Sequence, residues 1–147
     1  MTIICFKNVS RKIYPPELAL NLEGSGDHLS YLDLDFTKVN RHVDVKLFDK
    51  RDAFPFSIVR LPFVSSNIPS NMFYSAITAE ILRIGRICSS QQNFLSSAKP
   101  VIARAVNQGA NDSKLSKALK KIYGRQKILQ QYGKNASFFS TNLMLSR

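Results

Sequence analysis

The stretch Ile68–Cys88, IPSNMFYSAITAEILRIGRIC, decides the fold, because it holds the clearest helical period in the chain. Tyr74, Ile77, Ile81, Ile84 and Cys88 fall three, four, three and four residues apart, so they line one face of a helix that requires a core. Pro69 stands where the first turn begins, with Ser66 and Asn67 before it as capping candidates. Arg83 and Arg86 lie near the C-terminal end, where cations suit the helix dipole. N-terminal to this element the chain reads as strands and turns; C-terminal to it the chain reads as basic helices.

The charge divides at the same place. Residues 1–53 carry as many Lys and Arg as Asp and Glu, whereas from Phe54 onward the basic residues are opposed only by Glu80 and Asp112, so the whole net charge of +11 is C-terminal. Such a half is either a polyanion-binding lobe or a soluble basic surface, and its separation from a neutral half favours nucleic acid as the partner. The 147 residues suffice for one unit with a real core. No apolar run approaches the roughly 18 residues a membrane span needs. Cys5 and Cys88 are far apart, lack metal spacing and read as reduced small hydrophobes, which suits an intracellular protein. The start, MTIICFKNVSRKIYPP, has too short an apolar segment for a secretory signal and reads as a plain N-terminal strand or a fragment boundary rather than a mitochondrial presequence.

Toward the N-terminus, Leu18, Leu20 and Leu22 alternate in a strand over Glu17–Leu22, and Gly24–Asp27 then turns. Tyr31–Phe36 reads as one strand with Leu32, Leu34 and Phe36 on one face and Tyr31, Asp33 and Asp35 on the other. A turn at Lys38–Arg41 pairs it with a strand carrying Val43, Val45 and Leu47. After the charged turn Asp49–Asp52, Phe54–Val59 is a candidate last strand with Pro55 at its edge. Toward the C-terminus, Phe94, Ala98, Val101 and Ala105 mark a second helix that Pro100 either kinks or divides, and Gly109 stops it. Asn111–Ser113 offer caps for a third helix to about Tyr132, with Leu115, Leu119, Ile122 and Leu129 as its apolar positions. The tail from Gly133 has no strong period and reads as loosely ordered unless Phe138 and Phe139 dock. The expected fold is α+β: a small antiparallel sheet of three or four strands over residues 1–62, two or three basic helices over 63–132, and a tail over 133–147.

No chemistry of catalysis is legible. Asp33 and Asp35 read as solvent-facing acids of an open sheet face rather than a metal pair, and His28 and His42 read as surface histidines in turns. Ser65, Ser66 and the other serines have no partner constellation, and no glycine-rich phosphate loop occurs. No cofactor and no metal is expected. The third helix is more informative. Lys114, Lys117, Lys121 and Arg125, spaced three, four and four, form a cationic stripe after a helix and a Gln108–Gly109–Ala110 turn, the layout of a helix-turn-helix. On spacing alone such a stripe is either a solvated lysine face or a surface that neutralises phosphates; the charge asymmetry favours the second, and Arg83, Arg86, Arg104, Lys120 and Lys127 extend the set of candidate contacts.

The series IYPPELALNLEG, SYLDLDF, KLFDKRDAFPFSIVRLPFVSSNIP, FYSAITAEILRIGRICSS, NQGA and KLSKALKKIYGRQ, over roughly Tyr14 to Tyr132, resembles the C-terminal portion of retroelement reverse transcriptases. The nearest kind is the animal and algal group loosely akin to Penelope-like elements. The resemblance implies the end of a palm followed by thumb-like helices that contact template and primer. It implies no catalysis, since the family's Tyr-x-Asp-Asp and fingers are absent, and Asp33 and Asp35 match a motif outside the catalytic palm. Pro100 departs from the family pattern. The function expected is non-catalytic nucleic-acid binding, to RNA, DNA or a hybrid. The alternatives are a structural component of a ribonucleoprotein such as a mitochondrial ribosome, an accessory subunit of a split RNA-directed DNA polymerase, or a relic.

Overall fold

The computed structural model describes residues 26–145 apart from Ser57, together with Ile13 and Pro15. The strand expected at Glu17–Leu22 and the first part of the turn after it lie outside the described residues. The fold is α+β, a three-stranded antiparallel sheet followed by helices. The strands β1 (His28–Tyr31), β2 (Leu34–Val39) and β3 (His42–Leu47) form a meander in the order β1-β2-β3. The helices are α1 (Ser70–Ile87), α2 (Gln91–Asn107), α3 (Asp112–Arg125), α4 (Lys127–Gln130) and α5 (Ala136–Met144).

The stretch read as one strand over Tyr31–Phe36 is two strands joined by a turn. Tyr31 pairs directly with Leu34, so Leu32 and Asp33 form a two-residue hairpin loop. Leu32 adopts φ 53°, a left-handed conformation that leucine disfavours, and nothing in its residue type announces a turn. The second loop, Asn40–Arg41, likewise has φ 54° at Asn40, which asparagine tolerates. The extra turn moves Tyr31 to the apolar face with Leu34 and Phe36, and it separates the two acids. Asp33 sits in the loop, and Asp35 sits in β2 directly between Ser30 and Lys46. Asp35 is therefore not solvent-facing. It is buried, with Ser30 Oγ 3.0 Å, His28 Nε2 2.6 Å and Lys46 Nζ 3.2 Å from its carboxylate. Phe54–Val59 adds no strand among its described residues; Lys50–Ala53 is a 3-10 turn capped by Asp49, and Phe54 and Phe56 are exposed.

The core lies between the helices. Ile77, Ile81, Ile84 and Cys88 are buried as their spacing requires, with Phe73 in place of the half-buried Tyr74. Neither Ser66 nor Asn67 caps α1. The helix begins from Pro69, whose carbonyl accepts from Met72 N, while Ser66 Oγ donates to Phe63 O in the preceding loop. Ser90 caps α2, which runs unbroken through Pro100; the proline and Ser96, the residue whose bond it removes, both sit on the exposed side. Gly109 ends that segment at φ 90°, and Asn111 caps α3 by accepting from Lys114 N.

The third helix stops at Arg125 rather than near Tyr132. Gln126 is extended, and this break turns Leu129 and Tyr132 inward beneath α1. Gly85 makes room for them: a Cβ there would lie 2.5 Å from Leu129 Cδ2 and within 4 Å of Tyr132 and Phe94. The rings of Phe94 and Tyr132 stack at 4.1 Å, and Tyr132 Oη shares its proton between Gly85 O (3.0 Å) and Cys88 O (2.7 Å), carbonyls that the end of α1 leaves open. The described part of the tail docks through one of its two phenylalanines. Asn135 caps α5, and Phe139, Ser140 and Leu143 bury it against α2 and α3, while Phe138 stays exposed. The sheet joins this body by its edge, through Ser89 N to Val45 O at 2.9 Å, Val45 N to Ser89 Oγ at 2.9 Å and Asn93 Nδ2 to Val45 O at 3.3 Å.

Two substitutions test these contacts. Tyr132→Phe strands two carbonyls and lowers stability by about 1–3 kcal/mol, seen as a lower urea midpoint at unchanged slope. Leu32→Gly relieves a positive φ at an exposed position and raises stability by about 1 kcal/mol on the same assay; a fall would show that the turn conformation is not strained.

Candidate nucleic-acid interface

Two groups of cations differ in what surrounds them. In the first, guanidinium groups are locked to carboxylates where the N-terminal segment meets α1. Arg83 donates to Glu80 from Nε at 3.0 Å and Nη2 at 2.8 Å, and to Asp33 from Nη1 at 2.9 Å. Side-chain hydrogen bonds to Glu80 prevail over the cost of burial and raise its pKa. Asp49 accepts from Arg51 Nε at 2.9 Å and Arg51 Nη2 at 3.0 Å, and pairs with Arg60 Nη1 at 2.7 Å. Burial works against the Asp49 charge, but the hydrogen bonds from Arg51 and the charges of Arg51 and Arg60 outweigh it and hold its pKa below the ordinary 3.8. Arg104 is half-buried and engaged within the protein, on the wall of a roughly 200 Å3 cavity shared with Arg51, Arg60 and Glu80. Of the sequence-expected contacts, Arg83 thus belongs to this internal network, and Arg104 stands beside it on the cavity wall. Arg83 ties the β1–β2 loop to α1 through Asp33.

The second group is solvent-facing. Lys114, Lys117, Lys121 and Arg125 project from the side of α3 opposite Leu115 and Leu119, all four exposed. That outcome follows from the helical period, because Leu115, Leu119 and Tyr123 take the buried face and leave the stripe outward. Lys120 lies beside the stripe, Lys127 beyond the Gln126 break, and Arg86 on the outer side of α1; each is exposed. None of these seven makes an ion pair among the described residues. Among the described residues the charge of this face is therefore unpaired, in contrast to the arginine network.

Part of the stripe borders a cleft. Between α1 and α3 lies a cavity of about 400 Å3 lined by Asn71, Tyr74, Ser75 and Thr78 on one wall and Ala118, Lys121, Ile122, Arg125 and Gln126 on the other. No acid lines it. Tyr74 Oη accepts from Asn111 N at 3.0 Å, which fixes the start of α3 beside the start of α1 and so sets the mouth of the cleft. The sequence reading missed Asn71, Ser75 and Gln126. The signal available for two of them was the polar row Asn71, Ser75, Thr78 at helical spacing beside the apolar face of α1. Gln126 carries no such signal, since it lines the cleft only because α3 breaks there.

Among the described residues no cluster of His, Cys, Asp and Glu is arranged to hold a metal ion, and no helix is long and apolar enough to cross a membrane. Cys88 is buried, its thiol pKa raised by desolvation, which favours the unreactive protonated form. Comparison with protein-family models, curated proteins and solved structures yields no match.

The arginine network has a pH signature. A carboxylate whose folded pKa is depressed contributes stability that is present above its unfolded value, near 3.8 for Asp49, and lost as pH falls through the lower folded value. The stability gap between the native chain and Asp49→Asn is therefore full at about pH 6 and shrinks below about pH 4. Urea titrations at about pH 3, 4 and 6 check this; a gap independent of pH would show that the carboxylate charge is not what the network uses.

Proposed function

We propose that the chain is a non-catalytic nucleic-acid-binding protein or segment that holds polynucleotide phosphates on the exposed face of α3, acting inside the cell. The observation that carries this reading is the contrast between the two cation groups. Arg51, Arg60 and Arg83 are paired internally, whereas Lys114, Lys117, Lys120, Lys121, Arg125, Lys127 and Arg86 stand exposed without a carboxylate partner among the described residues. A phosphate-reading surface needs cations free of carboxylate partners, and this face supplies them. The resemblance to the post-palm part of reverse transcriptases supports the same reading, since there the thumb-like helices face template and primer. Cofactors and catalytic residues have no part in it.

A second reading rests on a different surface. Phe54, Phe56, Val59 and Phe63 are 47%, 63%, 71% and 55% exposed in the segment leading to α1. That much exposed apolar area in one segment favours a protein neighbour, as in a ribonucleoprotein or a polymerase assembled from separate chains.

The test is fluorescence anisotropy of labelled oligonucleotides over a range of salt concentrations. Replacing Lys114, Lys117, Lys121 and Arg125 by Gln weakens binding and flattens the salt dependence by about 0.9 for each phosphate no longer neutralised on B-form DNA. Arg83→Gln lowers stability and leaves the slope unchanged. An unchanged slope in the stripe variant refutes the assignment.

A further inference from the structure

Resting on that reading, we infer that the cleft between α1 and α3 seats one unpaired nucleotide, so that the preferred ligand is single-stranded nucleic acid. The argument starts from which polar groups in the cleft are already used. Thr78 Oγ1 is turned back onto its own helix, 3.1 Å from Tyr74 O and 3.0 Å from Ser75 O, and Tyr74 Oη is held by Asn111 N. By contrast the side chains of Asn71, Ser75, Lys121, Arg125 and Gln126 have no hydrogen-bond or ion-pair partner within the described protein. Amides, a hydroxyl and two cations therefore converge on one space of about 400 Å3, without an acid among its described lining residues and with open hydrogen-bonding capacity.

The chemistry of these groups matches the parts of a nucleotide. Lys121 and Arg125, one helical turn apart on the rim, are continuous with the phosphate-facing stripe and present charge to a phosphodiester. Asn71 and Gln126 lie on opposite walls. A carboxamide offers a donor and an acceptor side by side, the fork that pairs with a base edge. Ala118 and Ile122 supply an apolar flank for the base or sugar. A base inside a duplex is stacked and its pairing edge is taken, so it does not reach the interior of a cleft this size; an unpaired base does.

The closing experiment compares wild type, Asn71→Ala/Gln126→Ala and the cleft-filling Ser75→Trp by anisotropy against a single-stranded RNA, a single-stranded DNA and a duplex, each over a salt series. None of these substitutions removes a charge or a core residue. The expected result is tighter binding of wild type to single strands than to duplex. Both variants should then bind single strands about tenfold more weakly, with the salt slope and duplex affinity unchanged. The RNA and DNA arms report whether the 2′-hydroxyl contributes. Equal affinity of wild type for duplex, or single-strand affinity unmoved in both variants, overturns the inference while the salt slope of the stripe leaves the phosphate-binding reading standing. Wild type that binds no oligonucleotide at low salt overturns both.

Discussion

The absence of a side chain at Gly85 is the constraint on which the helical body depends. Three residues from two later segments, Phe94 and the pair Leu129 and Tyr132, come within 4 Å of where its Cβ would stand. Through them α2, α4 and the loop after α4 reach the backbone of α1. Tyr132 then bonds the carbonyls of Gly85 and Cys88, so the end of α1 is satisfied by tertiary contact in place of a local cap. Because α1 ends at Ile87, Ser89 is free to bond the edge of β3, and the sheet acquires its position from the same helix terminus. Protein interiors are packed to near crystal density, so one close approach of this kind dictates the placement of each neighbour.

The same architecture sorts the charges. Guanidinium groups are planar forks suited to bidentate pairing, and Arg51 and Arg83 use them on Asp49 and Glu80 where the sheet segment meets α1. Lysine carries its charge on a flexible, strongly hydrated stem, and the lysines of α3 remain in water. Where α3 breaks at Gln126, its last turn and α1 leave a cleft between them, and the cationic stripe passes along the rim of that cleft. Cleft and fold are thus coupled through the break, since a helix continued to Tyr132 would not place Gln126 and Leu129 as they stand.

Much of the helical part was legible. Ile77, Ile81, Ile84 and Cys88 on α1, Phe94, Ala98, Val101 and Ala105 on α2, and Leu115 and Leu119 on α3 are buried as their periods require, because a 3.6-residue repeat leaves few other ways to remove them from water. The β region was less legible. Period-two alternation runs across Leu32 and Asp33 without a glycine, proline or asparagine to mark a turn, so two strands read as one, and the acids Asp33 and Asp35 were assigned a common face they do not share. Phe138 and Phe139 announced that the tail had apolar material. Which of them docks depends on the surface that α2 and α3 offer, and only Phe139 is buried.

By itself the sequence determined the α+β class, the core faces of the first three helices and the cationic stripe of α3, all of them consequences of local period and composition. Tertiary structure decided which cations are free. Arg83 and Lys121 are equally basic as letters, yet one meets Asp33 from fifty residues away and the other meets no acid among the described residues. It also decided the cleft and the break at Gln126, which depend on atoms that approach across long separations in the chain, and the burial of Asp35, which depends on strand pairing with Ser30 and Lys46. No periodic signal within a single segment carries that information.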